Sequence, residues 1–335
     1  MTLVSIITPS FNQAAFLEQT IRSVLLQEGV EIEYCVVDGA STDGSAEIIQ
    51  RYAAQNVERL SWWVSEPDRG QADAINKGFR HARGDIIAWL NSDDLYLPGA
   101  VQKAVSALQD DPSLGLVYGD AITIDEAGHP LNRLSFGNWS LPDLLAFRII
   151  CQPAVFMRRS ILEQAGYLDP SYHYMLDHQL WIRMGRLAPI GHIREILGVA
   201  RQHAGAKNVK QASGFSRETQ RCLEWIQTQP DLAAILKNDR RRILAGAYRL
   251  EARYYLDGGE PGTALSYYAK SLWYGPRYAW KHWHRMAYAA FSVLGAKKLA
   301  DRILLPASAQ RKQRTVPAEL KNCGDWPGLN LEGLA

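Results

Sequence analysis

No apolar run in this chain approaches the roughly 20 residues that a bilayer-crossing helix needs, so no segment of its 335 residues reads as a membrane span. Charge of one sign is also scarce. A formal net charge of +2 gives no reason to expect nucleic acid as a partner. The four cysteines, at 35, 151, 222 and 323, are far apart and lack metal-site spacing. Cys35 falls inside an apolar run and Cys151 beside another, which reads as free thiols in a reducing compartment. The opening residues have no basic stretch leading into an apolar core with a cleavage site, so they are not read as a secretory signal. The first turn, Thr8-Pro9-Ser10-Phe11-Asn12, has no Gly-x-Gly-x-x-Gly, and this excludes a dinucleotide-dependent oxidoreductase. What the chain does have is apolar residues, 47% of the total. That is enough for a full core, with length for one large domain and an appendage.

Three apolar runs end in polar residues: VSIITPSFN (4–12), EYCVVDGASTDGS (33–45) and GDIIAWLNSDDLYLP (84–98). Between the last two lies SEPDRGQADAINKGF (65–79), polar just where a helix should begin. Helical spacing of Phe16, Leu17, Thr20, Ile21, Val24 and Leu25 predicts a helix over 13–28. Further helices are expected from Ser45, over 71–83 and over 99–108. GLVYGDAITID (115–125) reads as another strand, and 126–150 as irregular. Alternating strands and helices predict an α/β fold with a mostly parallel sheet, covered on both faces. Ligands of such sheets sit at the carboxyl ends of the strands. Three polar strand ends therefore point to one pocket. The adjacent carboxylates Asp93 and Asp94 point to a divalent cation with a phosphorylated ligand.

In these segments the chain resembles the family 2 glycosyltransferases, which have the nucleotide-sugar-binding GT-A fold. The resemblance runs in order through TPSFN, VDGASTDGS, LNSDD, CQPAVFMRRSILEQAGYLD (151–169) and MLDHQLWIRM (175–184). It covers residues 1–215, which we read as the GT-A domain. It implies an inverting transfer from a nucleoside-diphosphate sugar, assisted by Mn²⁺ or Mg²⁺, to a glycan or polyprenyl-linked hydroxyl. Bacterial surface polysaccharide is the implied product, and the cytoplasm, or the inner face of the membrane, the implied location.

The resemblance assigns Thr8, Pro9, Ser10 and Asp38 to the nucleotide, although Asp38 is also a good cap for the turn that follows it. Asp68, Arg69, Asn91 and Ser92 fall on the sugar-nucleotide side. Asp93 is the expected metal ligand with Asp94, while a surface turn capping a helix is the plain alternative. The usual Asp-x-Asp has Asn91 in its first place here, an amide without charge. Asp177 is the expected general base, taking the acceptor proton; as a first-turn acid it also suits the helix macrodipole. Gln152, His178 and Trp181 are assigned to the acceptor, with a core position as the alternative for Trp181. In ARQHAGAKN (200–208), His203 is expected at the metal and Lys207 at the diphosphate. Asn91 alone supports a different reading, a catalytically degenerate GT-A-like scaffold.

From about residue 216 strand signals fade, and a helical region is expected to 305. Residues 247–276 are similar to one tetratricopeptide unit, which cannot bury both faces alone. RYAWKHWHRMAYAAFSVLGAKKLADRIL (277–304) suits an interfacial helix at an anionic membrane, and equally a helix packed on the domain. Residues 306–335 read as a loose tail.

Overall fold

A computed structural model describes residues 2–203, 205, 212–302, 320, 323 and 326–330. β1 (Leu3–Ser10) is buried from Val4 onward, so it has no solvent face. Its residues alternate between two helical layers. Val4 and Ile6 pack in one cluster with Leu17, Ile21 and Val24 of α1 (Ala14–Leu25). β2 (Glu31–Asp38), α2 (Ser45–Gln55), β3 (Trp62–Ser65) and α3 (Gln71–His81) follow. α3 lies on the other side of β1 at Gly78, where a Cβ would stand 2.4 Å from a methyl of Ile7. Only glycine permits that approach.

β4 (Ile86–Trp89), β5 (Leu95–Tyr96), α4 (Ala100–Asp110), β6 (Leu116–Ile124) and β7 (Pro130–Leu134) come next. Past the short α5 (Leu141–Leu145), β8 (Val155–Arg158), α6 (Arg159–Ala165), α7 (Leu176–Gly185) and β9 (Ile190–Arg201) complete the sheet. Its strand order is β3-β2-β1-β4-β8-β6-β9-β5, with β7 on β6. The expected parallel sheet holds for β3, β2, β1 and β4. β8 then runs antiparallel to both β4 and β6, so the second half is mixed.

The chain divides into two compact units. The first holds residues 1–139, 150–202 and 316–335; the second holds 140–149 and 203–315. The sheet unit thus ends nearer 202 than the expected 215, because β9 is its last strand. Residues 126–150, expected to be irregular, contain β7 and α5. The tail, expected to be loose, adds to the sheet unit in its described residues. Leu320 is buried with Leu95, Ile122 and Val199, and the Trp326 indole donates to the Tyr96 carbonyl at 2.7 Å.

The second unit is helical: α8 (Ala212–Thr228), α9 (Pro230–Asn238), α10 (Arg240–Asp257), α11 (Pro261–Tyr274), α12 (Pro276–Trp280) and α13 (Trp283–Val293). Gly258 and Gly259 join α10 to α11 as a helical hairpin, with Gly259 at φ +82°. Residues 140–149 are held to α10 by Arg249, which donates to the Phe147 carbonyl at 2.9 Å, and by an Arg242–Asp143 ion pair.

Glu251 of α10 is fully buried and accepts from the Gln220 amide at 2.5 Å. Burial pushes its carboxyl up to about 7, against the lowering pull of Gln220 and the Lys270 ammonium. Between about 4.5 and 7 the folded unit keeps a proton that the unfolded chain releases. Stability should therefore fall as pH rises through that window, by about 3 kcal/mol in total. Glu251→Gln should flatten this slope, read as hydrogen exchange of α10 amides at pH 5 and pH 8. An unchanged slope would place the titration elsewhere.

Candidate active site

The parallel half of the sheet aligns three polar residues at its carboxyl edge. Ser10 pairs with Asp38, and Asp38 with Ser65. Asp38 is fully buried, and its carboxylate accepts from the Ser41 N–H at 2.9 Å, the Ser41 hydroxyl at 2.5 Å and the Ser65 hydroxyl at 2.7 Å. It caps its turn, and a nucleotide would share a carboxylate already engaged on both oxygens. Ser10 differs: its hydroxyl is buried and has no hydrogen-bond partner among the described residues. Thr8 turns inward, where its hydroxyl accepts from Tyr34 at 2.9 Å, and Pro9 is buried. Thr8 is therefore a core contact and not pocket lining. Phe11, by contrast, is 61% exposed at the end of β1. It was not among the expected site residues; its place just after an apolar run ending in Thr-Pro-Ser was the available signal.

The loop before α3 meets this edge. A Cβ on Gly39 would stand 2.6 Å from an Asp68 carboxylate oxygen and 3.2 Å from the Phe11 ring. Asp68 accepts from the Gly70 N–H at 2.7 Å. Arg69 is exposed and pairs with Asp73 at 3.2 Å. Asn76, in contrast, makes two bonds to the Leu168 backbone and is structural.

β4 delivers Asn91 to Asp94. The Gln152 amide N–H₂ donates to the Trp89 carbonyl at 2.7 Å, which leaves its oxygen facing Asn91. The Asn91 N–H₂ donates to that oxygen and to Asp94 Oδ2, both at 3.1 Å, while its own oxygen accepts from Gln71 at 2.8 Å. A carbonyl can only accept, so the orientation of all three amides follows from Trp89. Asn91 must donate on one side and accept on the other, which a carboxylate cannot do.

Asp94 is buried, and its other oxygen accepts from the Arg201 N–H at 3.0 Å. Burial, then the neighbouring Asp93 charge, hold its carboxyl well above the usual carboxylate range, against those two donors. Asp93 is half-buried and reachable from solvent; Ser92 is buried. The Arg201 guanidinium, itself buried, donates to the Asp93, Asp125 and Glu126 carbonyls and to Gln19 Oε1. It lies over the Phe16 ring at 4.9 Å. Arg201 was not among the expected site residues; its place two residues before His203 was the available signal.

Asp177 is half-buried in the first turn of α7, where its Oδ1 accepts from the His178 N–H at 2.7 Å. Burial pushes the Cys151 thiol up, and the carboxylates of Asp94 and Asp177 push it further. Trp181 does not offer a ring to a sugar. It is fully buried and stacked on Trp89 at 5.1 Å, so the core reading replaces the acceptor reading. His178 is likewise buried at 1% exposure, which removes it from the acceptor surface. Gln152 remains half-buried beside Asn91. His203 falls in the second compact unit, and Lys207 lies outside the described residues. Among the described residues no group of three His, Cys, Asp or Glu side chains is placed to hold a metal ion.

Residues 5–166 match glycosyl transferase family 2. The chain is 32% identical over 206 residues to an O-antigen biosynthesis protein of Myxococcus xanthus, covering 61% of this chain and 16% of that protein. It therefore spans under a fifth of that relative's length. It is 30% identical over 201 residues to an uncharacterized glycosyltransferase of Mycobacterium tuberculosis, covering 58% of this chain and 73% of that one. The fold is similar to S. aureus TarS 1-349 in complex with UDP-GlcNAc, with TM-score 0.60, 16% identity, and 90% and 91% of the two chains covered. It is also similar to a Pyrobaculum calidifontis mannosyltransferase in complex with GDP-Man and Mn²⁺, with TM-score 0.55, 18% identity, and 88% and 86% covered. On its ordered motifs, its strand ends and these relatives, the chain belongs to glycosyl transferase family 2.

Proposed function

We propose that this site binds a nucleoside-diphosphate sugar and transfers the sugar, with inversion, to a glycan or polyprenyl-linked hydroxyl in bacterial surface polysaccharide synthesis. The observation that carries the reading is the row Ser10–Asp38–Ser65 at the edge where β4 also delivers Asn91 to Asp94. Phe11 offers an exposed ring for a nucleobase, while the buried Ser10 hydroxyl and Asp38 offer polar contacts below it. Asp68 and Arg69 stand on the diphosphate side.

The donor set fits a divalent cation bound together with the nucleotide. Mg²⁺ and Mn²⁺ are commonly held by one or two carboxylates, with phosphate oxygens and water completing the shell. Asp93 is the carboxylate suited to that role, since both oxygens of Asp94 are already bonded inside the protein. When bound, such an ion supplies Lewis-acid stabilisation of the leaving diphosphate. Asp177 takes the proton of the attacking hydroxyl. Gln152 lines the acceptor side. The Asn91 amide supports this reading over a degenerate scaffold, because it donates to Gln152 and Asp94 and accepts from Gln71.

Calorimetric titration of UDP, GDP and dTDP, with and without Mn²⁺, tests the donor site. One nucleotide should bind, tightened by Mn²⁺ about tenfold or more, and Asp93→Ala should remove the metal-dependent part. A folded protein that binds none of the three would favour the scaffold.

A further inference from the structure

The helical unit exposes three tryptophans within eleven residues of chain. Trp273, at the end of α11, is 79% exposed, Trp280 in α12 is 68% exposed, and Trp283 at the start of α13 is 53% exposed. The other tryptophans among the described residues are buried or half-buried. An indole in water leaves a large apolar surface uncovered, and a cluster of such surfaces marks an interaction site.

In sequence, the charges flanking these tryptophans are mostly basic, although Arg285 is paired with Asp257 at 2.8 Å. Residues 270–302 contain seven Lys or Arg and a single acid, Asp301, in a chain whose overall net charge is only +2. Arg277 and Lys281 are exposed between the tryptophans in sequence. A second apolar step, Val293 and Leu294 at the end of α13, is followed by exposed Lys297 and Lys298. Exposed indoles interleaved with cations match one kind of surface, in which an apolar interior lies just beneath a layer of negative charge. Tryptophan favours the boundary between headgroups and acyl chains, while Lys and Arg are drawn to anionic headgroups. No helix among the described residues is long and apolar enough to cross a membrane, so the contact would be interfacial.

We infer that the helical unit docks on an anionic lipid surface through Trp273, Trp280 and Trp283, with Arg277 and Lys281 contacting the headgroups. These residues belong to the helical unit and the donor residues to the sheet unit, and the inference stands whether or not that site transfers a sugar.

The test is flotation of the whole chain with vesicles of phosphatidylcholine alone or mixed with phosphatidylglycerol, without nucleotide, at low and high salt. The protein should float with the anionic vesicles, and high salt should weaken the binding. The triple variant Trp273→Ala, Trp280→Ala, Trp283→Ala should lose on the order of tenfold or more in partitioning. Its circular dichroism and nucleotide titration should match the parent, which shows that the fold survives. The Arg277→Glu, Lys281→Glu pair, which leaves the indoles in place, should also lose anionic selectivity. Failure of the parent to float, or equal flotation of the triple variant, overturns the inference. So does a concentration-dependent dimer, abolished by the same substitutions, in a protein that ignores vesicles. A chain that floats but binds no nucleotide keeps this inference and overturns the transferase reading alone.

Discussion

Asp177→Asn is expected to lower kcat by about 10²- to 10⁴-fold while leaving nucleotide affinity close to that of the parent. The amide has the size of the acid, and its oxygen can still accept the His178 N–H that now meets Oδ1 at 2.7 Å. The first turn of α7 should therefore keep its geometry. What the amide cannot do is accept a proton from the attacking hydroxyl. Water competes poorly for that step, because the acceptor oxygen is the nucleophile and must lose its proton as the glycosidic bond breaks. The measurement is transfer rate against nucleotide titration on the same preparation. Loss of both would make Asp177 a structural residue of α7, and retention of both would move the base elsewhere.

Arg201→Met should destabilise the sheet unit by about 1–3 kcal/mol. The methionine fills much of the same volume and can still lie on Phe16. It leaves four acceptors, the carbonyls of Asp93, Asp125 and Glu126 and the Gln19 amide oxygen, without this donor, at positions that are only partly buried or exposed. It also removes a buried positive charge that pulls the Asp94 carboxyl down, against the raising effect of its burial. Metal-dependent nucleotide affinity should then drop by about tenfold or more, since outer partners of metal ligands have effects of that size. Chemical denaturation reads the first effect and calorimetry the second. Full stability with normal binding would show that water replaces the guanidinium without loss.

Strand ends were legible in the sequence because buried parallel strands leave continuous apolar runs, and their polar exits stand out. Asp38 and Asp93 were singled out that way, whereas Asp177, in the first turn of a helix, was assigned by the family resemblance. Side-chain direction was not legible. Thr8 and Ser10 stand two apart on one strand, yet the Thr8 hydroxyl is taken by Tyr34 and the Ser10 hydroxyl by no described residue. The presence of Tyr34 on a neighbouring strand decides this, and neither residue type reveals it. Trp181 failed for the same reason: its stacking partner, Trp89, is 92 positions away. Asn91 looked like a lost carboxylate, because its use depends on Gln71 and Gln152, which come together only in the folded chain. The tail was misjudged because Leu320 and Trp326 show no periodicity; each fills a particular gap in the sheet unit.

The reversal at β8 bears on how such a protein can change. Since β8 runs against β4, the chain enters the sheet at the edge where β4 leaves it, and Gln152 arrives beside Asn91. On the function proposed above, the strands that would hold the nucleotide all precede this point in the chain. A change of acceptor would then be sought around Gln152, where it leaves the pairing of β1, β2, β3 and β4 intact.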